Sequence, residues 1–174
     1  QYDEPADMRG RKLLMTGDEM FIFIPRTRRP VRLTASQRLM GQASNGDVLN
    51  VRFQADYTPE LTGEETVETA GGSVECLVLE LTAKRKGTAY NRIVLYVDRD
   101  GFFPVQADCY ALSGKLLKTA VYSQRKEMEG RLIVTKAVLY DKVKTDCYTV
   151  IEFLDMAEEE ISDNLFNKEY LIRM

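Results

Sequence analysis

The sequence predicts a mainly-β (α+β) protein built on a large curved antiparallel sheet with an apolar interior. Three observations carry this. Six successive segments alternate at period two, the side-chain repeat of a strand, with their charges on one face and none on the other. Turn signals separate them at short intervals, and short connections make neighbouring strands antiparallel. Helix signals are few and short.

Taken in order, residues Lys12 to Met15 read as a strand, Thr16-Gly17-Asp18 as a turn and Glu19 to Ile24 as its hairpin partner. A basic stretch follows, Arg26 to Arg32, broken by Pro25 and Pro30. Thr34 can cap a short helix through Met40, with Gln37 at the capping-box position. Ser44-Asn45-Gly46-Asp47 makes a turn, and a strand is expected from about Val51 to Tyr57. Residues Thr58 to Ser73 are acidic and Gly-rich and read as a hairpin loop or a ragged strand pair. After Asp155 the alternation ends in an acidic turn and a short helix, with Asp163 its expected cap. There is no internal repeat, low-complexity segment or second-domain linker, so one domain over residues 1–174 is expected.

The six strands between these ends define the faces. Leu77, Leu79 and Leu81 oppose Glu80; Ile93, Leu95 and Val97 oppose Arg92. Phe103, Val105, Ala107 and Cys109 oppose Gln106 and Asp108, and Leu117, Thr119 and Val121 oppose Lys118. Ile133, Ala137 and Leu139 oppose Lys136; Cys147, Ile151 and Phe153 oppose Glu152. Every charge-free face falls on odd numbers. The polar face also carries Val94, Tyr96, Tyr110, Tyr122, Val134, Val138, Tyr148 and Val150, residues that suit a half-exposed pleated surface or a second contact.

Composition narrows the function. The chain has 174 residues, 44% hydrophobic and 29% charged, an ordinary globular balance. A net charge of -3 gives no field for nucleic acid. No apolar run approaches the roughly 18 residues of a membrane-spanning helix. No histidine is present, which removes Ser-His-Asp and Cys-His arrangements and nearly all catalytic zinc sites. No Gly-rich phosphate loop stands between a strand and a helix. Acidic pairs such as Glu64-Glu65 and Glu158 to Glu160 fall in expected loops and read as solvated charge. Accordingly no catalytic residue, metal ligand or cofactor is assigned, and a non-enzymatic role is expected.

Cys76, Cys109 and Cys147 form no metal-binding spacing and are odd in number. In a meander the strands of Cys109 and Cys147 lie three positions apart, roughly 14 Å at about 4.8 Å per strand, too far for a disulfide. All three read as small buried hydrophobes. The stretch RTRRPVR holds Arg26, Arg28, Arg29 and Arg32 within seven residues. It reads either as a solvated loop bordering the sheet or as a contact for an acidic partner or anionic headgroups.

The order IPRTRRPVRLTASQRLMGQASNGDVLN, then CLVLELTAKRKGTAYNRIVLYVDRDGFFPVQADCYALSGKLLKTAVYS, then ISDNLFNKEYL resembles the periplasmic outer-membrane lipoprotein-sorting family, the LolA-like proteins, in the branch associated with large export transporters. The resemblance spans nearly the whole chain and rests on order and spacing, not on a diagnostic motif. It implies an incomplete β-barrel: a strongly curved antiparallel sheet with short helices over its concave side, whose cavity carries lipoprotein acyl chains across the periplasm. Cavity-lining candidates are then Leu77, Leu79, Leu81, Ile93, Leu95, Val97, Val105, Leu117, Val121, Ile133, Leu139, Ile151 and Phe153. Family members carry more sequence before the first hairpin than the about ten residues present here, so a domain lacking part of its N-terminal segment is expected. The implied partners are lipids or lipoproteins, with a membrane transporter as a second. The alternatives are an adaptor that docks on such a transporter through its arginines and binds no lipid, and, third, an enzyme working with carboxylates alone.

Overall fold

The computed structural model describes residues 1–4, 6–17, 19–34, 52–128, 130–157 and 159–172. The expected helix from Ala35 to Met40 and the turn at Ser44 to Asp47 lie outside the described residues. Two compact units partition the chain: Gln1–Met40 with Ala157–Met174, and Gly41–Met156.

In the first unit the predicted hairpin forms from β1 (Lys12–Thr16) and β2 (Glu19–Ile24), paired from Lys12↔Phe23 to Thr16↔Glu19. Gly17, at φ 57°, supplies the left-handed turn between them. The basic stretch is not wholly a loop: Arg29–Arg32 forms β3, antiparallel to β2. Pro30 is tolerated there because β3 is an edge strand. Met20, Leu14 and Phe21 are buried, with Phe23 packed against the last two. The C-terminal helix is replaced by two 3-10 turns, Asp163–Phe166 and Tyr170–Ile172. Ser162, not Asp163, caps the first: its Oγ accepts from the Asn164 N–H at 3.4 Å. Asn167, in extended backbone, stops that turn.

The second unit is an open seven-stranded antiparallel meander. Its strands are β4 (Tyr57–Thr69), β5 (Gly72–Ala83), β6 (Arg92–Asp98), β7 (Pro104–Tyr110), β8 (Leu116–Met128), β9 (Arg131–Asp141) and β10 (Tyr148–Glu152). Sequence neighbours are spatial neighbours throughout, and β4 and β10 form the two edges. All six predicted strands are present as β5 to β10. The acidic Thr58 to Ser73 region is the strand pair, ragged at a bulge between Leu61 and Gly63. Further irregularities fall at Tyr96/Val97, Cys109/Tyr110, Tyr122/Gln124 and Gln124/Arg125. Each inserts a residue on one strand and increases local twist, the origin of curvature in such a sheet. Beyond them, Arg125–Met128 and Arg131–Val134 pair only with each other among the described residues, as a two-stranded ribbon.

One expectation is corrected at the start of this unit. Strand structure begins at Tyr57 and not near Val51, because Phe53–Asp56 forms a single helical turn, α1. The cause is Asp56, which is buried and held by two arginines. Arg52 reaches it with Nε and Nη2 at 3.2 and 3.1 Å, and the Arg85 Nη2 at 2.8 Å. The Asp56 carbonyl also accepts from the Lys84 N–H at 2.9 Å, tying α1 to the end of β5. Next to it Tyr57 is 1% exposed. Its hydroxyl donates to the Tyr90 carbonyl at 3.0 Å and accepts from the Tyr90 N–H at 3.2 Å.

Burial pushes the Asp56 carboxyl up, but hydrogen bonds and charge from Arg85 and Arg52 outweigh it and hold it below the usual carboxylate range. A folded-state value below the unfolded one adds stability above the unfolded pKa of about 3.9, and that stability is lost as pH falls through the folded value. Asp56→Asn is therefore expected to cost about 2 kcal/mol at neutral pH, the scale of a lost charged hydrogen bond. Urea unfolding of parent and variant should show the gap closing as pH falls below about 4.

Candidate apolar binding face

The ladder registers decide which predicted residues share a face. Directly opposed residues in a sheet project to the same side. One row reads Leu79–Leu95–Ala107–Ala120–Leu139–Thr149 across β5 to β10. A second reads Leu81–Ile93–Cys109–Lys118–Asp141. On the same side, Leu77 opposes Val97, and Tyr122, Ala137 and Ile151 line up across β8 to β10. Ile93 is fully buried, and Leu81, Leu95, Val97 and Leu139 are buried; Leu77, Leu79 and Ile151 are half-buried. The structure thus brings together eight of the thirteen lining candidates.

The ladder does not align the other five with them. Val121 opposes Val138 and Gln106, so it lies on the reverse face, beside Thr119 and Asp108. The reason is that β8 pairs with odd residues of β7 through its even ones, and a one-residue offset sends every side chain of a strand to the other side. Leu117 and Val105 have no ladder partner, being skipped at the β7–β8 and β6–β7 irregularities, although Val105 is buried in alternation with Ala107 and Cys109. Ile133 sits on the β8–β9 ribbon opposite Lys126. Phe153 follows β10 and is 48% exposed.

The same inversion corrects Lys118. It was expected on the polar face, yet it is 7% exposed and lies on the apolar one, opposite Cys109 and Asp141. Asp141 accepts from the N–H groups of Val143 at 2.8 Å and Lys144 at 3.0 Å. Burial pushes its carboxyl up, but those N–H groups and the charges of Lys118 and Lys144 hold it below its ordinary value.

At the centre of the face stand three alanines, Ala107, Ala120 and Ala137, on consecutive strands β7, β8 and β9, all buried. Leu95 and Leu139 flank the first two along their row. These small residues stand where their neighbours along the rows are larger, a placement the sequence hid because alanine is a weak strand former. The Thr149 Oγ1 at the β10 end is buried and has no partner among the described residues.

The reverse face is polar and cross-linked. Arg92 pairs with Glu80 at 2.9 Å and lies 4.0 Å over the Tyr110 ring; the Thr119 hydroxyl donates to Asp108 at 2.7 Å. Cys76 and Val78 are buried on this side. A cleft beside Cys76 is bordered by Glu64, Glu65, Glu75 and Arg99, with Arg99 3.0 Å from Glu64. The three cysteines are free, Cys76 and Cys109 buried and Cys147 half-buried. The strands of Cys109 and Cys147 stand three positions apart, as their order predicts.

Arg26, Arg28, Arg29 and Arg32 are exposed, at the β2–β3 turn and on β3. Arg28 adopts φ 52°, and Arg32 pairs with Glu19 at 3.0 Å. Among the described residues the other three have no ion pair. No group of residues able to hold a metal ion occurs among the described residues, and no described helix is long and apolar enough to cross a membrane.

Known proteins share this open antiparallel meander with one apolar face. A LolA superfamily protein from Nitrosomonas europaea is 34% identical, with a TM-score of 0.83, over 97% of this chain and 74% of its own. A DUF1329 family protein from Desulfovibrio piger is 27% identical, with a TM-score of 0.79, over 97% and 74%. A Vibrio parahaemolyticus domain named for outer membrane lipoprotein sorting has the same fold, at 21% identity and a TM-score of 0.82 over 98% and 75%. A family model described as "Uncharacterized protein" matches residues 1–173. No curated protein matches. The chain belongs to that family and to the LolA superfamily.

The Lys118–Asp141 pairing is open to a direct check. Lys118→Met removes the cation and keeps most of the aliphatic stem. The Asp141 carboxyl should then titrate at a higher pH than in the parent, followed by carboxyl-carbon NMR.

Proposed function

We propose that the protein is a periplasmic carrier that binds the acyl chains of lipoproteins or other lipids against the Leu79–Leu95–Ala107–Ala120–Leu139 face. The observation that supports this most is the row itself: five opposed side chains on five strands without one charge. Removing an acyl chain from water gains about 0.8 kcal/mol per buried CH₂. The three alanines are where a chain would meet the smallest side chains of the face. Binding is reversible and needs no covalent step. Relatedness to superfamily members, one of them named for lipoprotein sorting, favours the same cargo class and compartment here.

Two glutamates separate this reading from general destabilisation. Leu95→Glu puts a carboxylate on the proposed binding face, whereas Val121→Glu puts one on the reverse face of the same sheet. With a fluorescent acyl probe, Leu95→Glu should weaken binding at least about tenfold, equivalent to about 1.4 kcal/mol. Val121→Glu should bind within about twofold of the parent, a difference under 0.5 kcal/mol on the same scale. Equal effects from both, with folding verified by circular dichroism, overturn the assignment.

Arg26, Arg28 and Arg29, exposed and without ion pairs among the described residues, favour a second reading as a transporter-docking adaptor. On that reading, reversing their charge releases the protein from transporter-bearing membranes in a co-sedimentation assay and leaves acyl binding intact. Unchanged sedimentation returns the arginines to a solvated role.

A further inference from the structure

We infer that one end of the seven-stranded sheet, the end carrying the β5–β6, β7–β8 and β9–β10 turns, is a docking surface for an anionic lipid bilayer, with Leu112 and Val143 entering the headgroup layer. Leu112, Val143, Lys86 and Lys115 lie outside the apolar rows, so this surface is independent of the carrier reading.

The meander brings these turns together. Alternate turns fall at the same end of the sheet, so the three stand side by side. Each is two strands from the next, roughly 10 Å at about 4.8 Å per strand. Two of them lift an apolar side chain into water. In the β7–β8 turn the Ala111 N–H donates to the Lys115 carbonyl at 2.9 Å and the Gly114 N–H to the Ala111 carbonyl at 3.0 Å. These bonds fix a tight loop with Leu112 at its tip, 84% exposed. In the β9–β10 turn the Asp141 carboxylate holds the Val143 and Lys144 N–H groups. Val143 is left 53% exposed.

Charge selects the occupant. In the β9–β10 turn Asp141 and Asp146 balance Lys142 and Lys144. The other two turns, residues 84–91 and 111–115, contain no carboxylate. Arg85 serves the buried Asp56. Lys84, Lys86 and Lys115 remain, all exposed and without an ion pair among the described residues. A lysine near an anionic leaflet strengthens binding about fivefold. A cationic patch alone would suit any polyanion. Apolar tips set among lysines suit a bilayer, whose anionic headgroups overlie hydrocarbon.

The opposite end of the sheet lacks this combination. Phe102 is 73% exposed there, but its turn carries Asp98 and Asp100. Arg99 and Arg125 at that end are engaged by Glu64, Glu75 and Asp98. In the other unit the β2–β3 turn is basic, but its tip, Arg26-Thr27-Arg28, offers no apolar side chain to insert.

Vesicle co-flotation of the full chain is the test. The parent should float with vesicles of phosphatidylcholine and phosphatidylglycerol in equal parts, not with phosphatidylcholine alone, and added salt should release it. Lys86→Glu combined with Lys115→Glu should weaken binding at least about tenfold. Arg28→Glu combined with Arg29→Glu makes the same change in net charge and should cost under about threefold, because those residues lie away from the docked end. Leu112→Ser should weaken binding at least about threefold, and Phe102→Ser at the opposite end should leave it within about twofold. All these positions are exposed, so circular dichroism should show each variant folded. A parent that floats with neither vesicle, or equally with both, overturns the proposal. So does binding that follows the arginine pair instead of the lysine pair, or that ignores Leu112→Ser.

Discussion

Register governs everything else in the seven-stranded sheet. Each strand is locked to its neighbour by backbone bonds, and the side-chain period of two converts a single-residue offset into a complete exchange of faces. Between β7 and β8 that offset occurs: Ala107 faces Ala120 and Cys109 faces Lys118. The meeting of Ala107 with Ala120, the buried lysine and the removal of Val121 from the apolar side are three readings of this one fact. The segment's own alternation is intact; what changes is the side to which it is applied.

The two faces rest on different physics. The apolar side is held by burial, with Ile93, Leu81 and Ala107 almost wholly removed from water, and loss of a large aliphatic group in such a place costs about 2–5 kcal/mol. The reverse side is held by polar pairs such as Arg92 with Glu80, both about a third exposed. Pairs of that kind contribute about 0–1 kcal/mol each. The sheet therefore tolerates rewriting on one side far better than on the other. Tyr57 bridges the two regimes: burial pushes its hydroxyl up to about 12, so it stays a neutral donor to Tyr90.

What the sequence revealed was local. Period-two alternation located β5 to β10, and Gly-containing turns located the hairpins, because both signals lie within a few residues. The relation between strands did not, since nothing in LLKTAVYS states which of its sides will meet Cys109. α1 was hidden for a similar reason: Asp56 is fixed by Arg85, 29 positions away, and only folding brings them together. β3 was obscured by Pro25 and Pro30, which read as breakers until the strand is seen to lie at an edge. The clustering of the alanines was invisible because three alanines on three strands carry no pattern along the chain.

The β8–β9 ribbon carries a consequence of a different kind. Arg125–Met128 and Arg131–Val134 have one neighbour each, whereas strands within the sheet have two. A two-stranded ribbon is marginal by itself, so its hydrogen bonds open without the rest of the sheet having to open. Its amides are expected to exchange faster than those of Ile93 and Ala107, which lie within the sheet. Arg125, 5.1 Å over the Phe103 ring and 4.0 Å from Asp98, is the point where the ribbon is fastened back to the sheet. The two bulges where the ribbon leaves its neighbours therefore mark where local opening of the ribbon would stop.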